Sequence, residues 1–300
     1  LNGVAPSLFS RRGDAASSPD EERSVAGPAK RIATRRRAAF KIQMKFAFSI
    51  PGSEPQLEAK AKELGYDGIE LTCSPDLRDE IPFGSLAVAC LSVGGRVLVQ
   101  SKASQSESDH LRPLIDRAAG MGCSLVKVLE PQSLRRGTWL VPADVACAWL
   151  IPLADYAADR DVTIALDNSQ SLRTALEFWE ILDRCNHPSL GCCLDVLTSA
   201  RLGESPEVTV PMLNSKIVYV QLADVKDLAH PATECNLGDG VVPIRTTIAR
   251  LRGIGYAGWL TLRLSQSTEA VESRLSSGIG LLRELCKPIE RAKAKIKATR

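Results

Sequence analysis

From Met44 onward, short runs of apolar and β-branched residues alternate with longer stretches in which apolar positions recur every three or four residues. The first pattern is that of buried parallel strands and the second that of amphipathic helices. Eight strand-like runs stand out: KFAFSI from Lys45, GIEL from Gly68, AVACLSV from Ala87, LVKVL from Leu125, VTIALDN from Val162, LGCCLDV from Leu190, IVYVQLAD from Ile217 and GWLTLRL from Gly258. Helices are predicted between most of them, for example over EPQLEAKAKELG from Glu54, SDHLRPLIDRAAGMG from Ser108 and SLRTALEFWEILDRC from Ser171. In the last, Leu172, Ala175, Leu176 and Trp179 are expected to share one face of an amphipathic helix. The connection between the second and third runs is too short and too poorly patterned to predict a helix. Eight strand–helix units in about 240 residues match a single α/β domain of the (β/α)8 TIM-barrel type, whose usual size is ~250 residues. An open dinucleotide-binding sheet is disfavoured, because no G-x-G-x-x-G follows the first run and SVGGRV at Ser92 is an ordinary glycine turn.

Charge divides the chain into three parts. Residues 1–43 carry nine Lys/Arg against four Asp/Glu, and residues 287–300 carry six against one, so each end has a net charge of +5. Since the whole chain is +3, the body between them is −7. The leader is rich in Ser, Ala, Gly, Pro and Arg without apolar periodicity and is expected to be disordered. Met44 directly precedes the first strand run and is read as the translation start, a reading that peptides from residues 1–43 in mass spectrometry would contradict. The barrel is expected over 44–286, followed by a basic tail at 287–300. The basic ends are read as solvated, so no nucleic acid is expected as a partner. The longest apolar stretch, from Leu140, is broken by Pro142, Asp144 and Pro152 and falls short of a membrane span. Nine cysteines without a repeated short spacing suggest neither a disulfide framework nor a zinc knuckle, which fits a reducing, cytoplasmic setting.

Three segments carry a resemblance. AKELGYDGIEL at 61–71 resembles the first helix to second strand junction of the xylose isomerase-like barrels. IVYVQLADVKD at 217–227 is similar to that family's seventh strand, which normally ends in His-x-Lys-Asp. NLGDGVVPIRTTIARLRGIGYAGWLTLRL at 236–264 is similar to its G-x-G turn, seventh helix and entry into the eighth strand. The resemblance implies a sugar or sugar-phosphate isomerase/epimerase that moves a proton beside a carbonyl and uses a divalent metal (Mn, Mg or Zn). The family's metal ligands are Glu, Asp, His and Glu on strands 5 to 8. Carried over, they fall on Asp167, Asp195, Gln221 and Arg263, and the family's additional His after the strand 6 Asp falls on Thr198.

Only Asp195 is unchanged. Asp167 keeps a carboxylate with a shorter reach, and Gln221 offers a carbonyl oxygen in place of imidazole. Arg263 has no acceptor and holds its charge at every ordinary pH, so it cannot ligate metal or take a proton. Two alternatives follow. In one, Asp167 is a single base and Arg263 stabilises an enediolate or grips an anion, with Asp167, Asp195 and Gln221 as a reduced metal set or with no metal at all. In the other, Arg263 pairs internally with Asp167 and Asp195, and the barrel is a catalytically inactive binding or regulatory protein. Glu70, Lys127, Glu130 and Asp224 fall at strand ends and would complete an acidic bowl around Asp167 and Asp195. Glu130, Gln221, Asp224 and His230 are the candidate ligand contacts, and Asp239 is assigned to the NLGDG turn. With only His110, His187 and His230, the histidine-rich trinuclear zinc site of the family's endonuclease branch is not expected.

Overall fold

The computed structural model describes residues 43–49, 55–73, 84–93, 104–129, 135–136, 139–140, 143–167, 174–230, 233–264 and 271–287. The basic ends, apart from residues 43 and 287, and Glu130 lie outside the described residues. Eight strands, β1 (Lys45–Ser49), β2 (Gly68–Cys73), β3 (Ala87–Val93), β4 (Leu125–Leu129), β5 (Thr163–Asp167), β6 (Leu190–Asp195), β7 (Ile217–Leu222) and β8 (Trp259–Arg263), pair in parallel in chain order. The barrel closes where β8 returns to β1, with Lys45 opposite Trp259 and Ser49 opposite Arg263. Each strand coincides with one of the predicted runs, so the fold is the (β/α)8 barrel the pattern predicts.

The outer layer holds α1 (Pro55–Leu64), α2 (Ser104–Gly120), α3 (Ala143–Ala158), α4 (Ala175–Cys185), α5 (Val196–Arg201), α6 (Pro206–Leu213), α7 (Ile244–Gly253) and α8 (Val271–Cys286). Among the described residues no helix lies between β2 and β3, whereas two, α5 and α6, lie between β6 and β7. No helix among the described residues is long and apolar enough to cross a membrane.

The helix at Ser171 differs from its prediction. Thr174 is the N-cap: its side chain accepts from the Glu177 N–H, and the Glu177 carboxylate accepts the Thr174 N–H at 2.6 Å, a reciprocal capping box. The buried face is Ala175, Phe178, Ile181, Leu182 and Cys185, while Leu176 is 51% and Trp179 36% exposed. Phe178, Ile181, Leu182 and Cys185 form an i, i+3, i+4, i+7 stripe of the same spacing as the predicted set, and it is this stripe that meets the barrel. Leu172 lies outside the described residues.

Cysteine pairing is a second correction. Cys147 on α3 and Cys185 on α4 form a disulfide with Cα atoms 5.2 Å apart, across a sequence separation of 38. Spacing alone gives no sign of it, because the two positions meet only when adjacent outer helices pack. Such a link restricts the unfolded chain. We expect the Cys147→Ala, Cys185→Ala double variant to lose about 2–4 kcal/mol of unfolding free energy, measured as a lower urea midpoint than the oxidised protein.

Candidate active site

Alternation along each strand sends one set of side chains outward to the helices and the other into the barrel. Outward residues such as Phe48, Ile69, Val126, Ile164, Leu194, Val220 and Leu262 join the main core. Cys90, Leu125, Ala165, Cys193 and Tyr219 form a separate buried cluster with Trp259 packed against it. This is the floor of the barrel. Gly68 belongs to it, since a Cβ there would come within 2.8 Å of the Trp259 indole and of the Ala87 carbonyl oxygen. Two residues further toward the strand C-termini, the same inward alternation presents Glu70, Ser92, Lys127, Asp167, Asp195, Gln221 and Thr261, with Arg263 one step beyond. Polar chemistry therefore sits where barrels of this architecture place it.

Glu70 is the most connected of these groups. Its Oε1 receives the Lys127 ammonium at 2.7 Å and the Ser92 hydroxyl at 3.4 Å. Its Oε2 accepts from the Tyr219 hydroxyl at 2.9 Å and from the Gln221 amide Nε2 at 2.6 Å. Thr261 in turn donates to the Tyr219 oxygen at 2.7 Å, so the floor is coupled to the polar layer. Lys127 Nζ also lies 3.5 Å from Asp167 Oδ2. Its side chain is 10% exposed and those of Glu70 and Asp167 are 1%. Burial favours the neutral amine, but the Glu70 and Asp167 carboxylates outweigh it and hold the Lys127 pKa above the ordinary lysine value. Burial raises the Cys90, Cys193 and Tyr219 pKa values well above their ordinary positions, so these groups stay protonated.

On the opposite wall Asp195 has two tasks. Its Oδ1 accepts the Thr198 N–H at 2.8 Å and caps α5, and its Oδ2 lies 3.1 Å from the Arg263 guanidinium. Asp195 is buried, whereas the Arg263 side chain keeps 33% of its surface. The Asp195 charge is the largest influence raising the Arg263 pKa; burial opposes it, and Asp167 and Glu70 add to it. The predicted internal pairing of Arg263 is thus found with Asp195, while Asp167 is taken by Lys127.

The other candidate contacts divide sharply. Gln221 is in the centre, and its Oε1 is buried with no hydrogen-bond donor among the described residues. Asp224 is elsewhere in function: its Oδ1 accepts from the Val225 and Val242 N–H groups and its Oδ2 from those of Gly238 and Gly240, at 2.8–3.1 Å. It anchors the turn that sequence reasoning gave to Asp239, and it has no oxygen to offer a ligand. We expect Asp224→Ala to lose about 2–3 kcal/mol, since four backbone N–H groups lose a charged acceptor, with ligand affinity unchanged in titration of the folded variant. His230 is 73% exposed and pairs with Asp227 at 2.8 Å in the turn after β7, away from the buried cluster. His187 holds Asp155 and the Ser189 N–H before β6, at the opposite end of the strands. Tyr219 and Thr261 were not singled out in the sequence. Their signal is the period of two, which puts them on the inward face with Gln221 and Arg263.

These residues do not fit a divalent cation. Such an ion needs several lone-pair donors turned to one point, yet the inward carboxylates of Glu70, Asp167 and Asp195 turn toward Lys127 and Arg263, neither of which has a lone pair to give. Among the described residues no group of three or more His, Cys, Asp or Glu is placed to hold a metal. Of the expected acidic bowl, Glu70, Asp167 and Asp195 are held in ion pairs with Lys127 and Arg263, while Asp224 is held by backbone N–H groups.

A closed parallel barrel with buried charges gathered at its strand C-termini defines a protein of the (β/α)8 TIM-barrel class. More particularly, residues 59–285 match the family model described as "xylose isomerase-like TIM barrel", and the chain belongs to that family. It is 27% identical over 252 residues to an L-ribulose 3-epimerase of Methylomonas sp., covering 76% of this chain and 83% of the relative. It is 27% identical over 139 residues to a 3-dehydroshikimate dehydratase of Pseudomonas putida, covering 43% of this chain but only 22% of that enzyme's length. Among solved structures, the IolI protein with a bound zinc atom superposes with a TM-score of 0.66 at 17% identity, over 81% of this chain and 98% of that one. At that identity the likeness shows the fold alone.

Proposed function

We propose that this barrel is a divergent member of the sugar isomerase/epimerase type that binds a sugar or sugar phosphate at its C-terminal mouth without a divalent metal. The observation that carries the reading is that each described inward carboxylate faces a cation of the chain itself, Glu70 and Asp167 facing Lys127 and Asp195 facing Arg263. The buried Gln221 Oε1 is an acceptor suited to a ligand hydroxyl. Arg263 keeps enough exposed surface to meet a ligand oxygen or phosphate. The acidic body gives no reason to add nucleic acid or a membrane surface as a partner.

Thermal unfolding in EDTA with L-ribulose, D-allulose, D-fructose 6-phosphate and 3-dehydroshikimate tests it. The expected result is a raised midpoint with at least one of them, reduced in Gln221→Leu. No shift with any, or a shift only when Mn²⁺ is supplied, would contradict it. A second reading, in which the barrel binds but does not turn over, is favoured by one observation. Asp195 is held by α5 and Arg263, and both Glu70 oxygens are occupied, so neither carboxylate stands ready as a base.

A further inference from the structure

Resting on the reading of a metal-free ligand site, we infer that Lys127, Asp167 and Glu70 form a reacting centre for proton transfer at the carbon beside the carbonyl of an α-hydroxy ketone. In it the Lys127 ammonium receives the carbonyl oxygen, Asp167 takes the carbon-bound proton, and Glu70 is the positioning residue. Three observations converge on this assignment.

The first is geometry. An ammonium has three N–H donors. Glu70 Oε1 at 2.7 Å and Asp167 Oδ2 at 3.5 Å account for two directions on Lys127 Nζ, and the side chain retains 10% of its surface. The second is the division of labour between the carboxylates. Four donors hold Glu70 on both oxygens, which fixes where the ammonium sits. Asp167 lies on the other side of the same ammonium, so a carbonyl oxygen on Lys127 brings the neighbouring C–H bond toward Asp167. The third is cost. A buried cluster of charges is often no more stable than apolar residues of the same volume, and at the C-terminal mouth of a barrel it marks chemistry more readily than packing.

The step balances without an oxidant or cofactor. Asp167 takes the proton, the C–H electron pair becomes the carbon–carbon double bond, and the carbonyl π pair moves to oxygen. That oxygen takes a proton from the ammonium, giving an enediol, a neutral Lys127 and a protonated Asp167. Return of both protons regenerates the ketone and the starting charges. Asp167 exchanges its proton with solvent in between, so the carbon acquires a solvent hydrogen. A positive charge fixed at the developing oxyanion supplies the stabilisation that a metal gives in other sites.

Deuterium wash-in beside the carbonyl, followed by NMR in D2O with EDTA present, tests this on dihydroxyacetone, L-ribulose and D-fructose. The protein is expected to exchange at least one of them, and Lys127→Met and Asp167→Asn are each expected to slow exchange by ~100-fold or more. Lys127→Ala regains part of the rate when methylammonium is added, which a purely structural lysine would not allow. Lys127→Arg, which keeps the charge and the fold, stays slow because guanidinium does not release a proton. Glu70→Gln removes a charge that holds the ammonium protonated, so the alkaline limb of its pH profile moves to lower pH. Exchange unchanged in folded Lys127→Met or Lys127→Arg overturns the inference. So does exchange of none of the three while sugars still raise the unfolding midpoint in EDTA, a result that leaves the binding reading standing. Loss of that midpoint shift as well sinks both.

Discussion

Lys127→Met is expected to cost the folded protein about 3–5 kcal/mol, the loss typical of removing one partner from a buried ion pair. Methionine fills the space of the lysine stem but leaves the Glu70 and Asp167 carboxylates, each 1% exposed, without the ammonium between them. Urea unfolding at neutral pH measures the loss. A further result follows from the cause: adding Glu70→Gln in the same chain recovers much of the loss, because the two substitutions share one interaction. The Lys127 pKa is raised by folding, so its contribution is fully present below the ordinary lysine value of 10.5 and disappears only as pH climbs through the higher folded value.

Asp195→Ala is expected to cost about 2–4 kcal/mol, because one side chain serves two structures. Its cap on α5 accounts for ~1 kcal/mol. The remainder is the pair with Arg263, moderated because Arg263 is one-third exposed and can turn to solvent. Asp195→Asn separates the two: an asparagine still caps the helix but carries no charge, so it should recover the capping share and leave the loss of the pair. Equal costs for the two variants would show that the cap contributes nothing. In the proposed metal-free reading, the double role also accounts for Asp195 standing at a position that matches a family metal ligand.

The barrel was legible because strand burial is local information. VTIALDN and LGCCLDV announce themselves by β-branched and apolar content whatever lies beside them in space, and each of the eight barrel strands begins within one residue of its predicted run. The face of α4 was less legible. Leu176 and Trp179 are as apolar as Phe178 and Ile181, and only the direction of the barrel wall, fixed by the Thr174 cap and the preceding strand, separates exposed from buried. The Cys147–Cys185 link was not legible at all, since it depends on the contact between α3 and α4. In the site, position could be read but partnership could not. Lys127 could be placed at a strand end, yet its meeting with Glu70 on β2 and Asp167 on β5 is made by barrel closure, which brings residues 57 and 40 positions apart in sequence to one ammonium. Asp224 misled for the same reason: its partners Gly238, Gly240 and Val242 come from a turn that folds back on it.

The central claim is that the chain's own cations occupy the carboxylates that a divalent metal would need. Metal content bears on it most directly. Protein produced with Mn²⁺, Mg²⁺ and Zn²⁺ supplied, desalted and analysed by inductively coupled plasma mass spectrometry, is expected to carry far less than one equivalent of any of them. Lys127→Met, with Glu70 and Asp167 released toward one point, is expected to retain more than the unaltered chain does. One equivalent of metal in the unaltered protein, lost on Asp195→Ala, would contradict the account.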